Sequence, residues 1–168
     1  LDAAINGRGF FQVQLPDGNI GYTRNGQFHM DNTGQIVTAS GNPITPSITI
    51  PEGSLGITIG EDGTVTVRDS TGQQSNVGAF ELADFINPSG LLAMGENLFT
   101  ETAASGAPQA GTPGLNGIGS VLQNTLESSN VNVVEELVNM ISTQRTYEMN
   151  SKVISTADQM LQQATQVL

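Results

Sequence analysis

The sequence predicts a mainly β protein, in which a small antiparallel β-domain is followed by a long C-terminal α-helix of coiled-coil type. Two observations lead to this prediction. All 20 glycines and all 7 prolines lie at or before Gly119, and short stretches of alternating apolar residues recur before that point. Because glycine and proline punctuate turns, their absence from residues 120–168 permits one long helix there.

The first strand is predicted from a simple alternation. Residues 11–15 alternate phenylalanine, valine and leucine with glutamine, which is the period of a half-buried strand. Pro16-Asp17-Gly18 follows directly and predicts a reversal of the chain. The sequence therefore begins with a strand and a turn that leads back along it.

Three further stretches alternate isoleucine or valine with threonine, at residues 48–50, 57–59 and 65–67. Glu61-Asp62-Gly63 lies between the last two and predicts a hairpin turn. Short strands joined by glycine-containing turns indicate an antiparallel β-domain. The residues expected in its core are Phe11, Val13, Ile48, Ile57, Val65, Phe80 and Leu82.

We divide the chain into a β-domain at residues 1–129 and an assembly helix at residues 130–168. The segment at about 104–119 is rich in glycine, proline and small residues, which is typical of a loop. Residues 120–129 fit either a strand or a lead-in to the helix, because their pattern does not distinguish the two.

The predicted helix has a start signal and a long apolar stripe. Asn132 can cap it, Glu135 can complete a capping box, and Glu136 adds negative charge at the positive end of the helix dipole. From residue 133 an apolar residue recurs every seventh position, over about 54 Å if the helix is continuous. Such a stripe favours partner helices, although an amphipathic helix folded back on its own domain is an alternative. The residues expected at the helix interface are Val133, Leu137, Met140, Ile141, Tyr147, Ile154, Ala157, Leu161, Ala164 and Leu168.

The net charge of −11 argues against nucleic-acid binding and against attachment to an anionic membrane. Five cations are present and they are scattered, at Arg8, Arg24, Arg68, Arg145 and Lys152. No apolar stretch approaches the roughly 20 residues of a membrane-spanning helix. No positively charged start with an apolar stretch is visible, so we expect no cleavable signal peptide.

The sequence offers little for catalysis or metal binding. It has no cysteine and one histidine, His29, without an obvious catalytic companion. Asp31-Asn32-Thr33-Gly34 lacks the later ligands of a calcium loop and is better interpreted as a β-turn. We therefore expect no catalytic residue, no metal and no cofactor, although carboxylates are numerous enough that a paired-acid hydrolase is not excluded by count alone.

Two stretches at the ends of the chain resemble one known family. Leu1-Asp-Ala-Ala-Ile-Asn-Gly-Arg-Gly-Phe-Phe-Gln-Val13 resembles the motif that opens the β-domain of bacterial flagellar rod and hook proteins. The stretch from Ser129 to Ile141, followed by Gln144-Arg145-Thr146-Tyr147-Glu148, resembles the C-terminal helix motif of that family, which usually has alanine at the position of Thr146. The matching motif positions are Asn6, Gly7, Gly9, Phe10, Phe11, Ser129, Asn130, Val131, Glu135, Gln144, Arg145, Tyr147 and Glu148.

The resemblance implies a structural subunit of the flagellar basal-body rod and not an enzyme. The branch that forms the distal rod is the best match, because the hook protein carries an additional outer domain; a proximal rod or hook-type protein is the alternative. Outside the family, the alternatives are an acidic extracellular β-domain that binds a ligand and a peptidoglycan hydrolase.

In that family, subunits pass through the flagellar channel and polymerise helically across the periplasm into a hollow drive shaft, which carries torque from motor to hook. Terminal helices line the tube and the β-domain lies outside them. The implied partners are further copies of the chain, neighbouring rod and hook proteins, and the surrounding bushing rings.

The charge generates a first prediction, that added salt favours polymer. Packing many copies at −11 each concentrates like charge, and salt screens such repulsion over about 8–10 Å. We also expect at least one of Arg8, Arg24 and Arg68 to bridge to an acidic patch on a neighbour. Reversing that arginine should weaken assembly more than reversing Asp17, as measured by sedimentation across salt concentrations. A polymer yield that falls as salt rises would show that the argument has the wrong sign.

Overall fold

The computed structural model describes the backbone of residues 1–166 and the side chains of residues 1–161. The chain consists of two compact units. The first is Leu1–Glu127, and the second begins at Ser128 and contains the helix. The mainly antiparallel β architecture with one long C-terminal helix confirms the predicted fold class; the coiled-coil character of the helix stays a prediction.

The regular structure of the first unit consists of β-strands and one short helical turn. That turn is a 3-10 helix at Pro88–Gly90. The strands are β1 Ala3–Asn6, β2 Phe10–Gln14, β3 Ile20–Thr23, β4 Phe28–Met30, β5 Ile36–Thr38, β6 Ile44–Thr45, β7 Gly56–Ile59, β8 Thr64–Arg68, β9 Gln74–Ala79, β10 Leu82–Asp84, β11 Leu92–Gly95, β12 Leu98–Thr100, β13 Gln109–Gly111 and β14 Ser120–Gln123.

The largest sheet is built around β2. Its strand order is β11-β12-β3-β2-β10-β13, and β6 also pairs with β2. The β2–β3 pair is antiparallel, with Val13 opposite Gly21, which confirms the reversal predicted at Pro16-Asp17-Gly18. Strands β7, β8 and β9 form a separate antiparallel sheet, and the β7–β8 pair confirms the predicted hairpin.

The main core lies within the first unit. Six of the seven residues predicted for it are buried, and Ile57 is partly buried and packs against them. The prediction that β2 is half-buried is confirmed at Gln14, which is exposed, and is wrong at Gln12, which is only 7% exposed. The face that carries Gln12 belongs to a second, smaller cluster, which contains Tyr22, Ala83 and Phe85. Strand β2 is therefore covered on both faces around Gln12 and is open to solvent at Gln14.

Residues 48–50 do not form the strand that their alternation predicts. Ile48 and Ile50 are buried as expected, but Thr49 makes only an isolated bridge to Gln35. Prolines at positions 46 and 51 bracket this stretch, and proline has no N–H to donate to a ladder. The pattern therefore predicted burial correctly and pairing incorrectly.

The glycine- and proline-rich segment at 104–119 is part of the β-unit. Its residues Gln109–Gly111 form β13, which pairs with β10 at one edge of the largest sheet. Small residues such as Ala110 and Gly111 give no strand signal of their own. Of residues 120–129, which fitted either a strand or a helical lead-in, residues 120–123 form β14, opposite β1.

The second unit contains helix α1, Val133–Gln166. Its first residue is the one predicted, because Asn132 directly precedes it and no glycine or proline follows. At 34 residues it is about 51 Å long. No helix interior residue is a strong helix breaker, so the sequence itself supports an uninterrupted helix.

The location of the core generates a second prediction: the β-unit folds without the helix. A chain that ends before Val133 should show one cooperative thermal transition, because its buried clusters lie within Leu1–Glu127. Within that shortened chain, Phe11→Ala should reduce the free energy of unfolding by about 3–5 kcal/mol, as measured by denaturant titration. A gradual, non-cooperative melt would show instead that the helix completes the core.

Candidate assembly interface

The helix begins with a side-chain cap. The Asn132 side-chain oxygen accepts a hydrogen bond from the Val134 N–H at 3.1 Å, and its carbonyl accepts one from the Glu136 N–H. Glu135 and Glu136 lie in the first turn, where negative charge favours the helix dipole. The predicted cap is confirmed. Within residues 1–161, however, Glu135 makes no bond back to Asn132, so the reciprocal capping box does not form.

The residues expected at the helix interface are all exposed where the structure describes them. Their exposed fractions range from 49% at Ile141 to 77% at Tyr147 among the larger side chains, and Ala157 is exposed too. The side chain of Ala164, and Leu168 as a whole, lie outside the described residues. Large apolar side chains at such exposure are typical of a surface that binds a partner.

The seven-residue stripe is not a straight line on a straight helix. Seven residues at about 100° each fall roughly 20° short of two turns, so the stripe drifts around the axis. Between Val133 and Ile154 the drift amounts to about 60° by this estimate. A left-handed supercoil is what keeps such a stripe facing one partner. Whether α1 supercoils around another helix stays a prediction.

A second apolar face was missed by the sequence analysis. Met149, Val153 and Met160 are exposed by 64%, 66% and 68%, and Ala157 lies between them on the same face. Residues spaced by four and seven lie on one side of a helix. This side is rotated by about 110° around the helix axis from the side that carries Ile154. The sequence carries this spacing, but its residues interleave with those of the seven-residue stripe.

Several threonines on the helix satisfy their hydroxyl groups internally. The hydroxyls of Thr143, Thr146 and Thr156 donate to the carbonyls of Asn139, Ser142 and Lys152 at 2.8–2.9 Å. A hydroxyl bonded in this way has less need of water. Threonine at position 146, where related helices usually have alanine, is therefore compatible with a packed surface.

The glycines of the N-terminal motif allow the chain to pass close to itself. Gly7 has a φ of 119°, and a Cβ there would lie 2.9 Å from the Cα of Gly119. The Gly119 N–H donates to the Arg8 carbonyl at 2.7 Å across this contact. A Cβ at Gly26 would lie 1.5 Å from the Ala3 carbonyl oxygen. Gly7 of the motif and Gly26 outside it therefore both have a structural role in closing the β-unit.

The two phenylalanines of the same motif anchor both faces of the largest sheet. Phe11 is 1% exposed and meets Phe28 edge-to-face, with ring centroids 5.1 Å apart. Phe10 points to the opposite face and meets Phe85 and Phe99 at 5.9 Å and 6.1 Å. Each edge-to-face pair contributes about 0.5–1.5 kcal/mol beyond the burial of its two rings. The other two N-terminal motif positions are Gly9, which is buried with a φ of 125°, and Asn6, which is exposed at the end of β1.

Two of the three arginines of the β-unit are used inside it. Arg8 pairs with Asp84 at 3.1 Å, and Arg24 pairs with Glu127 at 2.9 Å. Among residues 1–161, Arg68 has no carboxylate partner. Because its guanidinium group is not held by a carboxylate within the β-unit, Arg68 is the best candidate for the expected intersubunit bridge.

The turn aspartates are hydrogen-bond acceptors that hold turns in shape. The Asp31 carboxylate accepts bonds from the Thr33 N–H and hydroxyl and from the Gln35 N–H. The bond from the Thr33 hydroxyl is the largest cause of a pKa for Asp31 below the ordinary value. Asp69 repeats the arrangement, and its pKa is lowered mainly by the Thr71 hydroxyl. The interpretation of residues 31–34 as a β-turn is confirmed.

The described residues bring together no further chemical site. His29 lies exposed on β4. Between residues 1 and 161 no cluster of three or more His, Asp or Glu side chains is placed to hold a metal ion. The helix that the structure describes is not apolar enough to cross a membrane. Two features remain as candidates, the close backbone contact at Gly7 and Gly119 in the β-unit and the exposed apolar side chains of α1.

Two family models match the chain. The model described as the flagellar hook protein FlgE/F/G D1 domain matches residues 4–67. The model described as the flagellar basal body rod FlgEFG protein C-terminal region matches residues 122–167. The first contains most of the N-terminal motif, and the second contains the whole C-terminal motif.

Individual proteins match over nearly the whole chain. The flagellar basal-body rod protein FlgG of Buchnera aphidicola subsp. Schizaphis graminum is 58% identical over 99% of this chain and 64% of its own length. FlgG of Caulobacter vibrioides is 51% identical over the same shares. The flagellar hook protein FlgE of Salmonella typhimurium is 43% identical over 61% of this chain and 26% of its own length. The chain thus spans less than two thirds of the rod proteins that it matches.

The turn aspartates generate a third prediction, on pH. Because the folded-state pKa of Asp31 and of Asp69 is below the unfolded value, each carboxylate stabilises the fold above the unfolded pKa. This stabilisation is lost as the pH falls through the folded pKa. The melting temperature of the β-unit should therefore fall on acidification below about pH 4. In the Asp31→Asn, Asp69→Asn double variant the fall should be smaller, because an amide oxygen still accepts hydrogen bonds but does not titrate.

The matched control is Glu52→Gln, which removes one exposed carboxylate that makes no hydrogen bond with the described residues. Its melting temperature should follow that of the wild type at every pH. If the double aspartate variant loses as much stability in acid as the wild type, other groups cause the loss and the argument fails.

Proposed function

The chain belongs to the family of flagellar hook and basal-body rod proteins, and from that membership we propose that it is a structural subunit of the rod and not an enzyme. The single observation that carries the proposal is 58% identity with a named rod protein over 99% of the chain. This identity extends across both the β-unit and the helix, so it supports for this chain the role of the named rod protein.

Within the family, the distal rod is the proposed position. Seven flagellar basal-body rod proteins FlgG match along most of the chain, at 40–59% identity. The hook protein matches along a shorter part. A proximal rod protein of the same family is the runner-up. The proposed location is the flagellar basal body, in the part that spans the periplasm.

The proposed mechanism is helical polymerisation into a hollow shaft that transmits torque and forms part of the export channel. Residues 1–129 would be the β-domain and residues 130–168 the assembly helix. Repeated head-to-tail contacts that do not close into a ring generate a helical filament. The exposed apolar side chains of α1 support this mechanism, because they gain most by leaving water together. The proposed partners are further copies, adjacent rod and hook proteins, and the surrounding rings.

The two apolar faces of α1 favour more than one partner helix. The stripe that contains Ile154 and the face that contains Val153 are separated by about 110°. One partner in a two-stranded coiled coil covers a single seam along the helix. The full set of proposed interface residues therefore extends the predicted stripe by Met149, Val153 and Met160.

A fourth prediction tests the helix. Ile154→Asp should abolish polymerisation and leave the melting temperature of the β-unit unchanged, because an unpaired carboxylate is costly to bury between packed helices. Val153→Asp should have the same effect through the second face. Sedimentation and electron microscopy of the full-length protein measure the polymer. The matched control is Ser155→Asp, a neighbouring position with the same change of charge on the polar side of the helix.

Polymers of normal length from Ile154→Asp would contradict the role of the stripe, and normal polymers from Val153→Asp alone would restrict assembly to one face. If the wild-type full-length protein forms no filaments under any salt condition, the proposed function itself is wrong.

A further inference from the structure

Arg24 ties the first strands of the β-unit to its last residues. Its Nε donates to the Glu127 carboxylate at 2.9 Å. One terminal nitrogen donates to the Gly7 and Gly9 carbonyls at 2.8 Å and 2.9 Å, and the other donates to the Ile5 carbonyl at 3.2 Å. One guanidinium group therefore joins the motif loop to a residue 103 positions away in sequence.

The geometry of this contact requires arginine. A guanidinium presents its donors in a fixed planar fork, whereas lysine has one compact ammonium group. The Arg24 side chain is only 29% exposed, and its carbonyl partners lie on a loop whose glycines leave room for close approach. Glu127 is the one acceptor of the four that carries a charge, and it is 45% exposed.

Glu127 occupies a particular place in the chain. It is the last residue of the first unit, and no helix or strand includes residues 124–132. The Asn124 N–H donates to the Asp2 carbonyl at 2.8 Å, which holds the start of this stretch. Glu127 is its next point of attachment, and only residues 128–132 then remain before the helix begins at Val133.

We propose that the Arg24–Glu127 ion pair is an anchor that fixes the point at which the chain leaves the β-unit toward the assembly helix. With the anchor, the free link is residues 128–132; without it, the link begins directly after Asn124. A shorter free link has fewer conformations and a smaller reach. In an assembled shaft, this restriction would limit how far the helix and the β-unit can turn independently. That last step rests on the proposed function, whereas the anchor itself does not.

The anchoring role is separable from the folding role of the same arginine. The bonds of Arg24 to three carbonyls hold the motif loop, so an Arg24 variant would disturb the fold as well as the link. Glu127 follows the last strand and contributes no buried side chain to either core cluster. Glu127→Gln therefore removes the charge on which the ion pair depends and leaves the bonds of Arg24 to the three carbonyls in place.

A fifth prediction tests the anchor in solution with the whole chain. Glu127→Gln should increase thermolysin cleavage before Leu126 and Val131 by about two- to fivefold, in line with the loss of one half-exposed ion pair. Hydrogen exchange of residues 125–131 should accelerate similarly, while the melting temperature of the β-unit stays constant. The matched control is Glu52→Gln, which should cleave at the wild-type rate.

Salt provides a readout that a purely structural role would not give. In the wild type, raising the salt concentration should speed cleavage toward the variant's rate, because screening weakens an exposed ion pair. In Glu127→Gln, the cleavage rate should not depend on salt once the activity of the protease is normalised on an unrelated peptide. Equal cleavage rates and equal salt responses in the wild type and in Glu127→Gln would contradict the proposed anchoring role.

The consequence for assembly is measured separately. Filaments of Glu127→Gln should form but bend more easily, which appears as a shorter persistence length in electron micrographs. Unchanged stiffness together with faster cleavage would overturn the mechanical step of the proposal. A wild type that forms no filaments would contradict the proposed function and leave the anchor to be judged by cleavage and exchange.

Discussion

The pairing of β1 with β14 is the constraint on which the rest of the structure depends. It places Ala3 opposite Gln123 and so joins the first and last strands of the β-unit. The pairing is possible only because the backbone passes within contact distance of itself at Gly7 and Gly119. The Gln123 side chain then continues the pairing by bonding to the backbone of Ile57 and Ile59 in β7. The side chain of Gln123 thereby connects the β1–β14 sheet to the separate sheet of β7, β8 and β9.

Local chemistry made much of the fold predictable. Turn residues such as Pro16-Asp17-Gly18 and Asn132 act through their own backbone neighbours, so the sequence alone locates the reversal after β2 and the start of α1. The apolar alternation likewise identified buried residues, including Ile48, even where no strand forms. Burial follows from the side chain itself, whereas pairing also needs donors along the backbone, and prolines 46 and 51 interrupt these at the ends of that stretch.

The features that sequence reasoning missed are long-range. Strand β13 consists of Gln109, Ala110 and Gly111, and it exists only because β10 presents an open edge to it. The partner of Arg24 is 103 residues distant, and nothing in either neighbourhood indicates the other. The exposed stripe of α1 was predictable by periodicity, but its second face, with Val153, was not separated from it because the two faces interleave along the sequence.

The two units satisfy their chemical requirements in different ways, and this difference fits the proposed role as a polymer subunit. In the β-unit, the two core clusters lie on opposite faces of the central strands of the largest sheet, whereas its edge strand β11 is exposed. Two of the three arginines have carboxylate partners, and the turn aspartates accept bonds from their own turns. In α1, the described apolar side chains remain exposed, while threonine hydroxyls are bonded within the helix. In the proposed polymer, a β-unit with its own core would stay folded before assembly, and the exposed helix would supply the free energy that favours association with partner helices.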